Sequence, residues 1–341
     1  MTRLPPVWLV LVACSGGSTP SPDPASGPAP VARTLTLAGY TTPREAYETS
    51  IFPAFTAHWK AKTGEEVTFE ATWQGSGAQA RAVREGLEAD LVALSLDPDV
   101  AVLEEAGLVT HDWRAGADGG MVTRSLAVLA VRPGNPKAVA DWSDLGKDGI
   151  EVLTPNVRTS GGAMWNVLAI HGAATRGKVA GVGSDAAGSE ALLASVLSRV
   201  KVMDKGARES IVTFEKGVGD VAITYENEVL VAKQAGQAMD YVVPPSTILI
   251  ENPLVVVDTY AKQHGTAEVA AAFVDFCHSA EAQAAYAKHG LRPVLAAATP
   301  PELPTPADLF TIRDLGGWAA VKQEVFAAGG LYDRAQQAAG R

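Results

Sequence analysis

The sequence predicts an α/β protein built on mostly parallel strands. Two observations carry this prediction. Short alternating or β-branched apolar runs are followed, repeatedly, by segments with helical spacing, which is the pattern of strand–helix units with parallel strands. The joins between them are short Ser/Thr/Gly loops, residues that cap helices and permit tight backbone approach. The length of 341 residues, with 47% hydrophobic and 19% charged residues, suits one large domain or two lobes with a real core.

Residues 34–39 alternate and form the first strand. Pro43 suits the first position of the next helix, with a Thr before it as cap, and Tyr47, Ile51, Phe55 and Trp59 recur at helical spacing until Gly64. Residues 66–72 form a second strand, which passes through Gly75-Ser76-Gly77 into a helix ending at Leu87. A short buried strand at 90–94 precedes a helix at 100–106, with Asp97 and Asp99 as a cap and a turn. The apolar run 125–131 is a strand stopped by Pro133-Gly134-Asn135-Pro136. A strand at 150–154 leads through Ser160-Gly161-Gly162 into a helix reaching Ile170, and the Gly/Ala-rich stretch 171–188 reads as an irregular loop. A helix (192–200), a short strand (202–203), a helix after Gly206-Ala207 (209–216), a strand (221–225) and a helix (226–234) follow. Residues 241–244 and 248–257 are extended, and helices at 267–277, 280–288 and 318–326 complete the chain.

The Ser/Thr/Gly joins point to an anion. A helix start carries unpaired backbone N–H groups and a partial positive charge, and small residues let an anion approach them. Ligands of parallel sheets sit at the carboxyl ends of the strands, where these joins lie. The net charge of −10 argues against nucleic acid as a partner and means that an anion would be held by local donors, not by bulk charge.

The N-terminus reads as a processing segment. The apolar run 7–13 is too short to span a bilayer, and Leu11-Val12-Ala13-Cys14 resembles the bacterial lipobox, in which the Cys is lipidated. Residues 1–14 are therefore expected to be a lipoprotein signal and 15–32 a Pro/Ser/Gly tether, holding the protein at a membrane surface outside the cytoplasm. The alternative is a chance Cys in a plain secretory signal. The other cysteine, Cys277, lies in an apolar helix and is expected in the core.

In order and spacing, several segments together resemble the extracytoplasmic sulfate-binding proteins of ABC importers. They are Arg44-Glu45-Ala46-Tyr47-Glu48, Gly75-Ser76-Gly77, Gly134-Asn135-Pro136-Lys137, Asp141-Trp142-Ser143-Asp144-Leu145, Ser160-Gly161-Gly162-Ala163-Met164-Trp165-Asn166, Gly206-Ala207-Arg208, Glu226-Asn227-Glu228 and Gly316-Gly317-Trp318-Ala319. The resemblance implies a type II periplasmic-binding-protein fold: two lobes, each a mostly parallel sheet flanked by helices, joined by crossing strands. Lobe 1 would comprise 33–125 and 254–341, and lobe 2 would comprise 126–253. It implies a sulfate receptor, possible thiosulfate capture included, that delivers its anion to an ABC permease as a monomer, without cofactor, metal or catalytic residue.

The resemblance also implies a binding set of Thr41, Ser76, Ser160, Gly161, Gly162, Ala207 and Tyr225, supported by Thr42, Gly75, Gly77 and Arg208. Two of these depart from the family pattern. Thr41 falls where Asp is usual, and Tyr225 falls where the family has a Trp whose indole N–H donates. A phenol donates or accepts, whereas a site made only of donors rejects an anion that carries a proton. Tyr225 thus leaves molybdate, tungstate or phosphate open as alternative ligands. A sensory lipoprotein that transports nothing is a third reading. Arg208 reads as a salt-bridging support in preference to a direct ligand.

Other chemistries find little footing. Gly181-Val182-Gly183-Ser184-Asp185-Ala186 resembles a dinucleotide fingerprint, but no strand precedes it. The six His residues show no metal-binding spacing, and there is no G-x-S-x-G nucleophile elbow.

Overall fold

The computed structural model describes residues 32–341. Cys14 and the tether up to residue 31 lie outside the described residues. The strands are β1 (Arg33–Tyr40), β2 (Val67–Gln74), β3 (Leu91–Ala93), β4 (Met121–Val131), β5 (Val152–Leu153), β6 (Val200–Val202), β7 (Val221–Tyr225), β8 (Asp240–Val242), β9 (Ser246–Val256), β10 (Arg292–Pro293) and β11 (Asp308–Phe310). The helices are α1 (Arg44–Ala46), α2 (Phe52–Thr63), α3 (Ser76–Arg84), α4 (Asp97–Glu105), α5 (Gly161–Thr175), α6 (Ala186–Ser198), α7 (Ala207–Glu215) and α8 (Glu226–Gln234), followed by α9 (Asp258–His264), α10 (Ala267–Cys277), α11 (Ala280–Lys288), α12 (Gly317–Val321) and α13 (Leu331–Ala338).

Main-path strand order is β2-β1-β3-β9-β4-β7-β5-β6. One half, β2-β1-β3, is parallel, and so is the other, β7-β5-β6. The long strands β4 and β9 run antiparallel to each other between them. The C-terminal end of β9 pairs with β3, and the C-terminal end of β4 pairs with β7. These two strands therefore belong to both halves.

Each half has its own core, because helices cover its sheet. Tyr47, Phe55, Trp59, Phe273 and Tyr286 pack together in the first. Trp142, Trp165, Leu168, Val196 and Phe310 pack in the second. Cys277 is fully buried in the first core, as expected.

Several boundaries differ from the sequence reading. Pro43 occupies the cap position before α1, and the helical rod continues from α1 to α2 through a π-turn at Tyr47–Ile51. Helix α4 begins at Asp97, because Pro98 fits a first turn whose N–H groups are unpaired anyway. The stretch read as loop from 171 to 188 is helical at both ends. Gly172 does not break α5 because the Phe310 ring occupies the place of its missing side chain. Asp185 caps α6 by accepting from the Gly188 N–H at 2.7 Å. Helices α9 and α13 fall outside the helices expected from the sequence.

The C-terminal segment also returns to the second half. β11 pairs parallel with the start of β9, and α13 lies on α6, where Arg334 Nε donates to Glu190 at 2.8 Å. Residues 308–338 thus pack against the half opposite to the one expected for 254–341. A three-residue strand joining a distant neighbour leaves no local pattern to announce it.

Candidate functional site

Four helices of nine residues or more start at one cleft between the halves. These are α3 after β2, α5 after β5, α7 after β6 and α8 directly after β7, and the α1–α2 rod starts there as well. The cleft is narrow and is lined by Tyr40, Thr41, Thr42, Gly75, Ser76, Ser95, Ser160, Gly161, Gly162, Ala207 and Tyr225. All seven residues of the expected binding set line it, together with two expected supports, Thr42 and Gly75. Among the described residues lining it, none is charged. Ser76, Ser160, Ala207 and Tyr225 are at most 4% exposed, so an anion here would meet little water. A larger groove near Trp113, Val256 and His278 lies away from these helix starts.

The halves meet closely around the cleft, and glycines make this possible. A Cβ on Gly75 would run into the Thr159 carbonyl across the cleft. A Cβ on Gly161 would sit 2.5 Å from Ser95 Oγ, and one on Gly162 would sit 2.7 Å from the Tyr225 ring. The first N–H groups of α5 are therefore bare and enclosed. The Ser160 hydroxyl caps this helix, accepting from the Ala163 N–H at 3.4 Å. Neither α3 nor α7 has a side-chain cap, because Gly75 and Gly206 hold those positions. Helix geometry leaves the N–H groups of Ser76, Gly77, Gly161, Gly162, Ala207 and Arg208 without intrahelical acceptors.

The first half adds a network that sequence reasoning missed. Ser76 Oγ donates to Asp99 Oδ2 at 2.5 Å and accepts from the Ser95 N–H at 2.8 Å. Ser95 Oγ and the Tyr225 hydroxyl lie 2.6 Å apart, across the cleft. The Ser95 carbonyl accepts from Trp165 Nε1 at 3.0 Å and from Asn252 Nδ2 at 3.1 Å, which fixes the residue from three elements. Burial raises the Asp99 carboxyl to about 6, against the opposing Ser76 hydrogen bond and the charges of Arg81 and Lys322. Burial likewise pushes the Tyr225 and Tyr40 phenols up, so both keep their protons at any ordinary pH. A signal for Ser95 existed in the sequence. It follows a buried strand and precedes Asp97-Pro98, a helix-start pair.

Gly77 stands just behind the lining, near Asp99 and Arg81. Arg208 is also outside it. Its Nε lies 2.8 Å from Glu228, which is fully buried, and its guanidinium lies 3.6 Å from Glu45 and donates to the Thr42 carbonyl at 3.4 Å. Burial raises the Glu228 carboxyl, and Arg208 opposes that shift. Arg208 thus ties α7 to both α8 and the α1 segment. Among the described residues, no group of three or more His, Cys, Asp or Glu side chains is arranged to hold a metal. No helix among them is long and apolar enough to cross a membrane.

Known proteins match this chain over most of its length. Residues 35–292 match the family described as bacterial extracellular solute-binding protein. A sulfate-binding protein of Synechococcus elongatus is 43% identical over 98% of this chain and 94% of its own length. One from Escherichia coli is 40% identical over 86% of this chain and 90% of its own, and a thiosulfate-binding protein of Pseudomonas aeruginosa is 33% identical over 90% and 93%. Among solved structures, the sulfate-binding protein SubI from Mycobacterium tuberculosis superposes with a TM-score of 0.78 at 38% identity, covering 86% of this chain and 99% of that one. A periplasmic thiamin-binding protein shares the fold at 17% identity, with a TM-score of 0.68. The fold is thus the two-lobed type II periplasmic-binding-protein fold, and the chain belongs to the family of bacterial extracellular solute-binding proteins.

Proposed function

We propose that this protein captures sulfate in the cleft between its lobes and delivers it to an ABC permease. The observation that carries this reading is the convergence of helix starts, with bare N–H groups, on a buried cleft lined by no charged side chain. A divalent tetrahedral anion suits such a site because its charge is spread over several oxygens, each able to accept more than one N–H. Hydrogen bonds to a charged group contribute about 1.5–3 kcal/mol each. About seven of them, less several kcal/mol for association and closure, suffice for the roughly −8 kcal/mol of a micromolar binder. In this reading Thr41, Ser76, Gly161, Gly162 and Ala207 donate through the backbone, and Ser160 and Tyr225 donate through hydroxyls. Thr42, Gly75, Gly77 and Arg208 hold them in place.

The same reading gives lobe 1 as 33–125 with the chain from 254 to about 300, and lobe 2 as 126–253 with 308–338. The protein acts as a monomer, lipid-anchored through Cys14 to a bacterial membrane, and carries out no chemical step. Isothermal titration of residues 32–341, freed of anions, tests the ligand. Micromolar or tighter sulfate binding, equal at pH 6 and pH 8 within a few-fold and with phosphate and molybdate silent, is the expected result. Preference for molybdate or phosphate would replace sulfate. Fatty-acid labelling that survives Cys14→Ala, or is absent from the wild-type protein, would rule out the anchor at Cys14.

A further inference from the structure

We infer that Ser95 is a binding residue of this site and that Ser95 and Tyr225 act as one donor, assembled only when the two lobes close; the inference rests on the sulfate reading above. The two hydroxyls lie 2.6 Å apart and come from opposite halves, Ser95 from the join after β3 and Tyr225 from the end of β7. Both line the cleft, and both are 1% exposed. A pair of hydroxyls sharing one hydrogen bond uses one proton between them and leaves the other free. Whichever donates inside the pair, one O–H remains to be turned toward an anion.

The surroundings favour Ser95 as the fixed member. Its N–H is spent on Ser76 Oγ, and its carbonyl is held by Trp165 and Asn252, so the residue cannot swing. Its hydroxyl lies against Gly161, at the bare start of α5. The phenol is the stronger acid of the two and so the better donor to Ser95, so that the hydroxyl donor counted above at Tyr225 reaches the ligand as the serine proton. A phenol by itself has a lone pair that a fully deprotonated anion cannot satisfy. Pairing with Ser95 lets a Tyr stand where a donor-only indole would serve.

The test is a double-mutant cycle read by sulfate titration and stopped-flow dissociation, on wild type, Ser95→Ala, Tyr225→Phe and the double variant, each checked for an unchanged circular-dichroism spectrum. Ser95→Ala and Tyr225→Phe are each expected to weaken binding about tenfold, mostly by faster dissociation. The double variant is expected to match the singles, because either change dismantles the same unit. Independent losses that multiply to about a hundredfold would overturn the pair. Wild-type affinity in Ser95→Ala would overturn the residue's role while leaving the sulfate reading intact, with Ser160→Ala as the control that must weaken. A wild-type protein that ignores sulfate would overturn both.

Discussion

The two walls of the cleft are built differently. The wall from the first half is built on hydroxyls held in a network: Ser76 Oγ donates to Asp99 and accepts from the Ser95 N–H, and the Ser95 carbonyl is held by Asn252 and, from the second half, by Trp165. The wall from the second half is mostly bare backbone, with Gly161, Gly162 and Ala207 beginning two helices. One wall can therefore be retuned by exchanging a polar side chain. The backbone donors of the other can be altered only by adding atoms where none fit, and its side-chain donors are confined to Ser160 and Tyr225. Under the sulfate reading, the second half would hold the anion through backbone placement and the first half would tune its charge.

Breaking the bare wall should have the largest effect. In Gly161→Ala the new Cβ would meet Ser95 Oγ at 2.5 Å and Ser95 Cβ at 2.7 Å, so the halves must separate for it to fit. Gly161 begins a helix, and an Ala there suffers no backbone strain, so the fold itself should tolerate the change. Sulfate affinity is expected to fall more than a hundredfold, with a melting temperature close to wild type and a larger radius of gyration in scattering from the sulfate-saturated sample. Undiminished affinity would mean that the walls need not approach this closely.

Ser160→Ala should be milder, because it removes a hydroxyl and leaves every backbone donor in place. Ser160 caps α5 through the Ala163 N–H. Its loss is expected to lower stability by about 1 kcal/mol and sulfate affinity by about tenfold, or roughly 1.4 kcal/mol. Chemical denaturation and titration separate the two effects. If stability drops and affinity does not, the serine is a cap and nothing more.

The bare wall was the legible one. A Ser-Gly-Gly or Gly-Ala join after a β run is a local signal, because the same residues that cap a helix also expose its N–H groups. Ser160, Gly161, Gly162 and Ala207 on that wall, and Ser76 at the Gly-Ser-Gly join opposite, carry that signal, whereas Thr41 and Tyr225 enter the expected set through the family resemblance alone. The side-chain wall was harder to read. Asp99 looked like a turn residue because its partner Ser76 is remote in sequence, and Ser95 matters through Tyr225, which is 130 residues away. The return of 308–338 to the second half was hidden for the same reason: β11 has only three residues, and its pairing with β9 is non-local. Gly172 misled in the other direction, since a helix-breaking residue proved to be room for Phe310.

The smallest expected effect isolates charge on the side-chain wall. Asp99 stands one hydroxyl behind the cleft, and burial holds its carboxyl at about 6, above its ordinary 3.8. Arg81 and Lys322 offset part of that shift. Near neutral pH the group is mostly ionised and repels an anion. As the pH falls through 6 it takes up a proton, and the repulsion ends. Sulfate affinity should therefore rise a few-fold, within the pH tolerance expected above, between pH 7.5 and pH 5.5, with proton uptake on binding near pH 6. The folded state holds this proton more tightly than the unfolded chain does. Through this group alone, stability is fully present below about 3.8 and declines as the pH rises through 6. Asp99→Asn keeps an acceptor for the Ser76 hydroxyl and removes the charge. It should bind sulfate a few-fold tighter than wild type at pH 7.5, equally at pH 5.5, and melt higher at pH 8. If the variant keeps the wild-type pH profile, the charge behind Ser76 does not reach the anion, and the side-chain wall serves only to hold Ser95 in place.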